Sequence, residues 1–310
     1  MRELIKSNIK YDFVGKFGPS SILSFIIVVA SLTLLFTKLQ YGVDFKGGAE
    51  VQVKFSESVS LSEVRSTLIK SGFSGIIVQS LGEASDNELL IKLPGSEKNL
   101  NSITQKVHET LVNAFASYGA EVRKVDIVGP KAGAQLRISG FQAMAWALIA
   151  IMVYVGLRFD FKYSPGAIVA LFHDVSIILG IFALFGTEFT LQTVAALLAV
   201  IGYSVNDTVI VYDRVREHED KYAGLELKEH INNAINETLS RTILTSGTTL
   251  FISLTMYFFG GGAIKDFFLA ISLGVIIGTY SSIFVAAPVT LFFDKWNEER
   301  SKKLTAQHAK

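Results

Sequence analysis

Residues 191–212 read LQTVAALLAVIGYSVNDTVIVY, and this stretch decides the fold class of the chain. A helix that crosses a bilayer needs roughly 20 mainly apolar residues, and the run meets that length. Its second half carries a polar interruption, Gly202-Tyr203-Ser204-Val205-Asn206-Asp207-Thr208. Helical spacing puts Tyr203, Ser204 and Asp207 on one face. Because an ionisable group inside hydrocarbon is costly, it faces the protein interior by default and marks a pathway or a pairing.

Runs of the same kind occur at residues 20–36, 138–157, 164–185, 242–260 and 266–292, each bounded by charges, Gly or Pro. Six spans are therefore predicted. Composition agrees: of 310 residues, 50% are hydrophobic and 18% charged, a balance that leaves a water-soluble domain short of polar surface. A bilayer is the natural solvent. A formal net charge of +1 offers no basic face, so no nucleic-acid partner is expected. The absence of Cys excludes disulfides, thiolate nucleophiles and Cys-ligated metal centres. No phosphate-loop, GxSxG or HExxH pattern occurs, and neither enzymatic chemistry nor a cofactor is expected.

Lys and Arg gather at the amino terminus, at Arg158 and Lys162, at Arg214, Arg216, Lys221 and Lys228, and from Lys295 onward. These are alternate loops, and the positive-inside tendency puts both termini in the cytoplasm. The basic start (Arg2, Lys6, Lys10, Lys16) imitates a secretory signal, but no small-x-small pattern follows the 20–36 run, which reads as a retained anchor. The expected organisation is a cytoplasmic segment 1–19, a first span 20–37, an external domain 38–137, five spans over 138–292 with a cytoplasmic loop at about 213–240, and a cytoplasmic tail 293–310.

Within the insert, β-branched alternating runs and 3.6-period stretches predict strands at residues 50–55, 76–81, 88–93 and 121–127 and helices at 61–71 and 100–118. The order βαββαβ is the ferredoxin-like, split βαβ arrangement. Apolar positions such as Leu61, Val64, Leu68 and Ile103, Val107, Leu111 give each helix one apolar face, so one sheet face is covered and the other is left for a partner. The fold class is thus a polytopic α-helical membrane protein of six transmembrane helices, with one α+β ferredoxin-like external domain between helices 1 and 2.

Arg241 opens the fifth span, followed by the hydroxyl stripe Thr245, Thr248, Thr249 and Ser253. Asp207 lies about five residues from the same end of its own span, so about 7 Å of depth separates it from Arg241 at 1.5 Å rise per residue. A long side chain reaches that far. Two readings stand. In the first the pair is a proton site: burial favours the neutral carboxyl, a nearby guanidinium favours the charged one, and arginine keeps its charge throughout. Moving Arg241 toward or away from Asp207 then switches proton affinity. In the second reading the pair is a structural ion pair or interhelical hydrogen-bond glue.

Asp174, near the midplane of the third span, reads either as a relay carboxylate or as a structural pairing. Its neighbour His173 reads as a hydrogen-bonded core residue, since no other His stands at metal-ligand spacing, and no metal is expected. Asn206 and Thr208 are supporting polar residues. Gly47-Gly48 after Asp44 marks a tight turn, and Gly274 with Gly278 fits close helix packing. Asp213-Arg214 with Arg216-Glu217 reads as a solvated span end. Leu227, Ile231, Ala234, Ile235 and Leu239 form an apolar stripe on a helix expected to lie along the cytoplasmic membrane surface.

Several motifs together resemble the SecF side of the SecD/SecF family of the bacterial protein-export machinery. They are Tyr41-Gly42-Val43-Asp44-Phe45-Lys46-Gly47-Gly48, Val128-Gly129-Pro130, Arg158-Phe159-Asp160, His173-Asp174, Gly202 through Thr208 running into Tyr212-Asp213-Arg214-Val215-Arg216-Glu217, and Thr238-Leu239-Ser240-Arg241-Thr242. The match runs nearly end to end, and the fourth-span stretch is its most specific part. Lys46 stands where the family often carries Thr, and Asp160 where it often carries Glu.

The resemblance implies a SecD partner with a similar six-helix block and a membrane core like that of resistance-nodulation-division exporters. It implies an inner (plasma) membrane location and use of the proton motive force to assist secretion through the SecYEG channel. The translocating polypeptide is then the cargo, with YajC and a YidC-type insertase as further candidate partners. The family's proton-pathway Asp and Arg fall on Asp207 and Arg241. The end of the chain soon after its sixth span reads as a separate SecF rather than a fused SecD-SecF. Two alternatives remain at this point: half of a proton-coupled small-molecule or lipid exporter of the same superfamily, and a passive assembly subunit that would tolerate loss of the buried charge.

Overall fold

The computed structural model describes residues 10–81, 86–93, 100–159, 162–260 and 263–308. Arg2 and Lys6 of the basic start, Asp160 of the Arg158-Phe159-Asp160 motif and residues 261–262 lie outside the described residues. Among the described residues six helical segments are long and apolar enough to cross a membrane: Val14–Lys38, Pro130–Arg158, Ser164–Phe185, Leu191–Lys221, Leu227–Phe259 and Ile264–Lys303.

Local chemistry sets most of the ends. Helix α1 (Phe17–Lys38) leads into a short strap made of β1 (Gln40–Tyr41) and α2 (Val43–Lys46), and the external domain follows. After it, α5 (Pro130–Arg158) and α6 (Ser164–Phe185) each start with Pro in the first turn, where its missing N–H costs nothing. Gly186, at φ 70°, ends α6 in the left-handed conformation. Strand β6 (Glu188–Phe189) then turns the chain into α7 (Leu191–Lys221), whose start is closed by a reciprocal capping box between Thr190 and Thr193. Helix α8 (Leu227–Phe259) returns, and α9 (Ala263–Ser281) passes through a π turn at Ser282–Ala286 into α10 (Ala287–His308).

Helix α7 is the central element, packed against α5, α6, α8 and α9. Gly274 and Gly278 allow the α7–α9 approach: a Cβ at Gly274 would lie 2.3 Å from a Val200 methyl, and one at Gly278 would lie 3.0 Å from the Ser204 Cβ. Helices α1 and α8 are peripheral and present Phe25, Ile26, Phe36, Phe251 and Phe258 outward. Such a surface suits hydrocarbon.

The structure corrects one expectation. The stripe Leu227 to Leu239 belongs to no separate surface helix, because α8 runs unbroken from Leu227 into the fifth span. Nothing between these residues breaks a helix, and the stripe has a partner: Ile231, Ala234 and Ile235 are buried in a cluster with Val211, Tyr212 and Val215 of α7. Helix α7 likewise continues past its apolar run to Lys221. Its charged last turns are good helix formers and carry the pair Arg214–Glu217 at 2.6 Å.

The external domain is built from β2 (Gly48–Lys54), α3 (Leu61–Lys70), β3 (Ile77–Leu81), β4 (Glu88–Leu93), α4 (Leu100–Ala114) and β5 (Glu121–Val128). Its sheet has the order β3-β4-β2-β5, antiparallel throughout, with Val51 opposite both Ile91 and Val125. This is the ferredoxin-like topology the sequence predicts. Val51, Val53, Leu89 and Ile91 pack against Val64, Leu68, Val107 and Leu111 on the helix-covered face. The opposite face is engaged in part: Lys92 on it pairs with Glu50 at 3.6 Å and with Glu188 at the mouth of the bundle, while Lys124 and Asp126 on the same face remain exposed. Burial pushes the Glu50 carboxyl above its ordinary range against the pull of Lys92.

Gly47 sits at φ 80° where the strap meets α5, and a Cβ there would lie 2.6 Å from the Pro130 Cα. A positive-φ extended conformation of this kind costs an L-residue about 1–3 kcal/mol, and here the clash is with backbone that cannot swing aside. Gly47→Ala is expected to speed proteolysis of the strap in the detergent-solubilised chain. An unchanged cleavage rate contradicts this.

Candidate functional site

Two polar nodes lie in the bundle core. Asp207, on α7, is 1% exposed; its Oδ2 accepts a hydrogen bond from Ser246 Oγ of α8 at 3.3 Å. Thr279 of α9 donates in turn to Ser246 Oγ at 2.7 Å. The other carboxylate oxygen, Oδ1, is buried with no partner among the described residues, and the Tyr203 hydroxyl is in the same condition. Asp207 is therefore under-satisfied, an expensive arrangement for a charged carboxylate in an apolar setting.

The second node is Asp174 on α6, also 1% exposed. Its Oδ2 accepts from Ser204 Oγ of α7 at 2.6 Å and from Ser281 Oγ of α9 at 2.8 Å, while Oδ1 meets His173 Nδ1 at 2.9 Å. His173 stacks on Tyr280 with ring centroids 6.0 Å apart, and Tyr280 shares a 2.9 Å hydrogen bond with Ser24 of α1. Ser281 is the last residue before the π turn, a deformation found often at functional sites. Asp174 thus ties α6, α7 and α9 together near mid-depth, with both of its oxygens engaged.

The positions selected by sequence divide between these nodes. Ser204 serves Asp174 rather than Asp207, and Thr208 donates back to the Ser204 carbonyl at 3.4 Å. Arg241 is exposed and stands outside ion-pair distance of Asp207. With Asn206, Arg158, Asp213, Arg214 and Glu237 it lines a cavity of about 420 Å³ at the end of the bundle away from the external domain. Thr245 is half-buried and donates only to carbonyls of its own helix, Arg241 and Thr242, at 3.0 Å. Asp213-Arg214 and Arg216-Glu217 form a half-exposed network that includes Arg158–Asp213 at 3.4 Å and Arg214–Glu237 at 3.4 Å.

Sequence reasoning passed over Ser246, Thr279 and Ser281, the actual donors to the two carboxylates or to their partners. A lone Ser or Thr in an apolar run ordinarily bonds back to its own helix, as Thr245, Thr248 and Thr249 do here. Among the described residues no group of three His, Asp or Glu side chains is placed to hold a metal ion. The core thus holds one carboxylate oxygen, Asp207 Oδ1, open to a further hydrogen-bond partner, and a second carboxylate, Asp174, that accepts from α7 and α9.

Fold and site together define a six-span α-helical membrane protein with an inserted ferredoxin-like domain and a buried, under-satisfied carboxylate on its central helix. The chain belongs to the SecD/SecF family of protein export membrane proteins: the family's C-terminal region matches residues 107–296, and its GG motif matches residues 33–59. The Protein translocase subunit SecF of Rickettsia rickettsii (strain Sheila Smith) is 40% identical, with 94% of each chain covered. That of Rickettsia prowazekii (strain Madrid E) is 40% identical over 98% of this chain and 96% of its own. Among solved structures, SecDF from Thermus thermophilus, described as a translocon-associated membrane protein, superimposes with a TM-score of 0.82 at 33% identity over 94% of this chain. SecDF in a super-membrane-facing form gives 0.70 at 33% identity over 97%. The chain spans only 40% of the length of either SecDF chain.

Proposed function

We propose that this chain is a proton-motive-force-driven accessory subunit of Sec-dependent protein export, working with a SecD partner on a SecYEG channel in the inner membrane. Both termini are then cytoplasmic and the ferredoxin-like domain is external. The observation that carries the reading is Asp207: a carboxylate 1% exposed on the central spanning helix, with one oxygen unpartnered among the described residues and, on the next helix, the exposed Arg241, which is in no ion pair among those residues. An arginine facing outward from a membrane bundle calls for a carboxylate on a neighbour. The rest of the SecDF architecture, which this chain does not cover, is the natural source of that carboxylate.

Asp207 takes up a proton when Arg241 stands away from it and loses the proton when the guanidinium closes in. Each charge carried across the membrane supplies about 2.3 kcal/mol per 100 mV. Asp174, whose two oxygens are engaged by Ser204, Ser281 and His173, acts as the fixed side of this exchange. The test is precursor export into membrane vesicles carrying the chain with its SecD partner, measured with the proton gradient intact and collapsed. Export insensitive to the gradient removes the proposal, and a parallel pull-down that recovers neither a SecD-like protein nor a channel subunit favours the exporter alternative.

Ser246→Ala takes away the one hydrogen-bond donor to Asp207 among the described residues. A net hydrogen bond contributes about 1 kcal/mol, so gradient-stimulated export should fall roughly five-fold without being lost. Full retention would show that Ser246 has no part in setting the carboxyl's proton occupancy.

A further inference from the structure

The strap between α1 and the external domain meets the start of α7. The Asp44 carboxylate accepts the Leu191 backbone N–H at 2.9 Å, and Leu191 is the first residue of α7. With the Thr190–Thr193 capping box, this occupies N–H groups that a helix start otherwise leaves open, and it puts a negative charge at the helix's positive end. The contact is braced. Strand β1 pairs in parallel with β6, Gln40 opposite Glu188 and Tyr41 opposite Phe189, and Gly42 N–H donates to the Phe189 carbonyl at 2.9 Å. Phe45 stacks on Phe189 with centroids 5.3 Å apart.

Little slack separates this contact from the sheet. Helix α2 ends at Gly47, and Gly48 already pairs with Val128 in the sheet. A second tie comes from inside the sheet, where Lys92 of β4 reaches Glu188 of β6. Both ties land on the α6–α7 turn, the outer end of the two helices that carry Asp174 and Asp207. Asp207 is sixteen residues beyond Leu191 on one unbroken helix, about 24 Å at 1.5 Å per residue.

We infer that Asp44 and Lys92 are positioning residues that fasten the external domain to the α6–α7 hairpin. A displacement of α7 at Asp207 is thereby delivered to the external domain as movement of one rigid body, without hinging at the strap. The proton site proposed above is the source of the displacement; the linkage itself stands apart from it.

Two measurements on the full chain in its membrane complex test this. The first is hydrogen exchange at the start of α7. Asp44→Ala should raise exchange at Leu191 and the following turn at least ten-fold and remove most gradient-stimulated export, whereas Asp44→Asn, whose amide oxygen still accepts the N–H, should restore both toward the unsubstituted level. Unchanged exchange in the Ala variant overturns the linkage, and failure of Asn to rescue reduces Asp44 to a folding requirement, which also overturns it.

The second is a disulfide between Gln40→Cys and Glu188→Cys, which occupy paired positions in the β1–β6 ladder of a chain with no other cysteine. If strap and hairpin travel together, oxidation leaves gradient-stimulated export within two-fold of the reduced form. Loss on oxidation with recovery on reduction means that they separate during the cycle, and the inference fails. A gradient-insensitive Asp207→Asn comparison identifies failure of the proton reading separately, because the exchange measurement does not depend on it.

Discussion

Asp207→Asn should bring precursor export down to the level seen with the gradient collapsed, while the chain still assembles in the membrane. The substitution keeps the size of the side chain and its ability to accept from Ser246, and removes only the proton that can be gained or lost. The unpartnered Oδ1 makes this replacement easy to accommodate, since an amide at that position is no worse satisfied than a carboxylate. At about 150 mV one proton supplies about 3.5 kcal/mol, which bounds the effect on a rate at roughly 300-fold. Export in vesicles with and without an uncoupler measures it. A gradient response that survives the substitution places the coupling elsewhere.

Arg241→Ala should lose nearly as much, for a complementary reason. Asp207 then has no cation to drive its proton off, so it stays occupied through the cycle. Arg241→Lys keeps a charge but loses the planar fork and its weak hydration, and an intermediate response is expected. On the proposal that the two residues act on one proton, Asp207→Asn combined with Arg241→Ala should be no worse than either alone. Additive losses in the same export assay would show two independent contributions and contradict the exchange between them.

Much of the architecture was legible because hydrophobic period survives folding. The strand at residues 88–93 and the spans at 164–185 and 191–212 stand where alternation and run length put them. Helices α7 and α8 outran their apolar stretches because Glu, Lys and Arg favour helix regardless of solvent, and composition marks where lipid ends rather than where helix ends. The site was half legible. A buried Asp in an apolar run declares itself, but Ser246 and Thr279 share their residue types with hydroxyls that bond to their own helix. Asp44 looked like a turn residue because its partner, Leu191, is 147 positions away. Arg241 was expected to reach Asp207 on depth alone; depth does not fix the direction of a side chain around its helix, and Arg241 points to the outside of this bundle.

The most direct test of a proton exchanged at Asp207 is infrared difference spectroscopy on the chain with its SecD partner in proteoliposomes. A protonated carboxyl band should appear or vanish when the gradient is imposed, and it should be missing in Asp207→Asn. A spectrum in which that band is identical in the two proteins, or is unmoved by the gradient, contradicts the account.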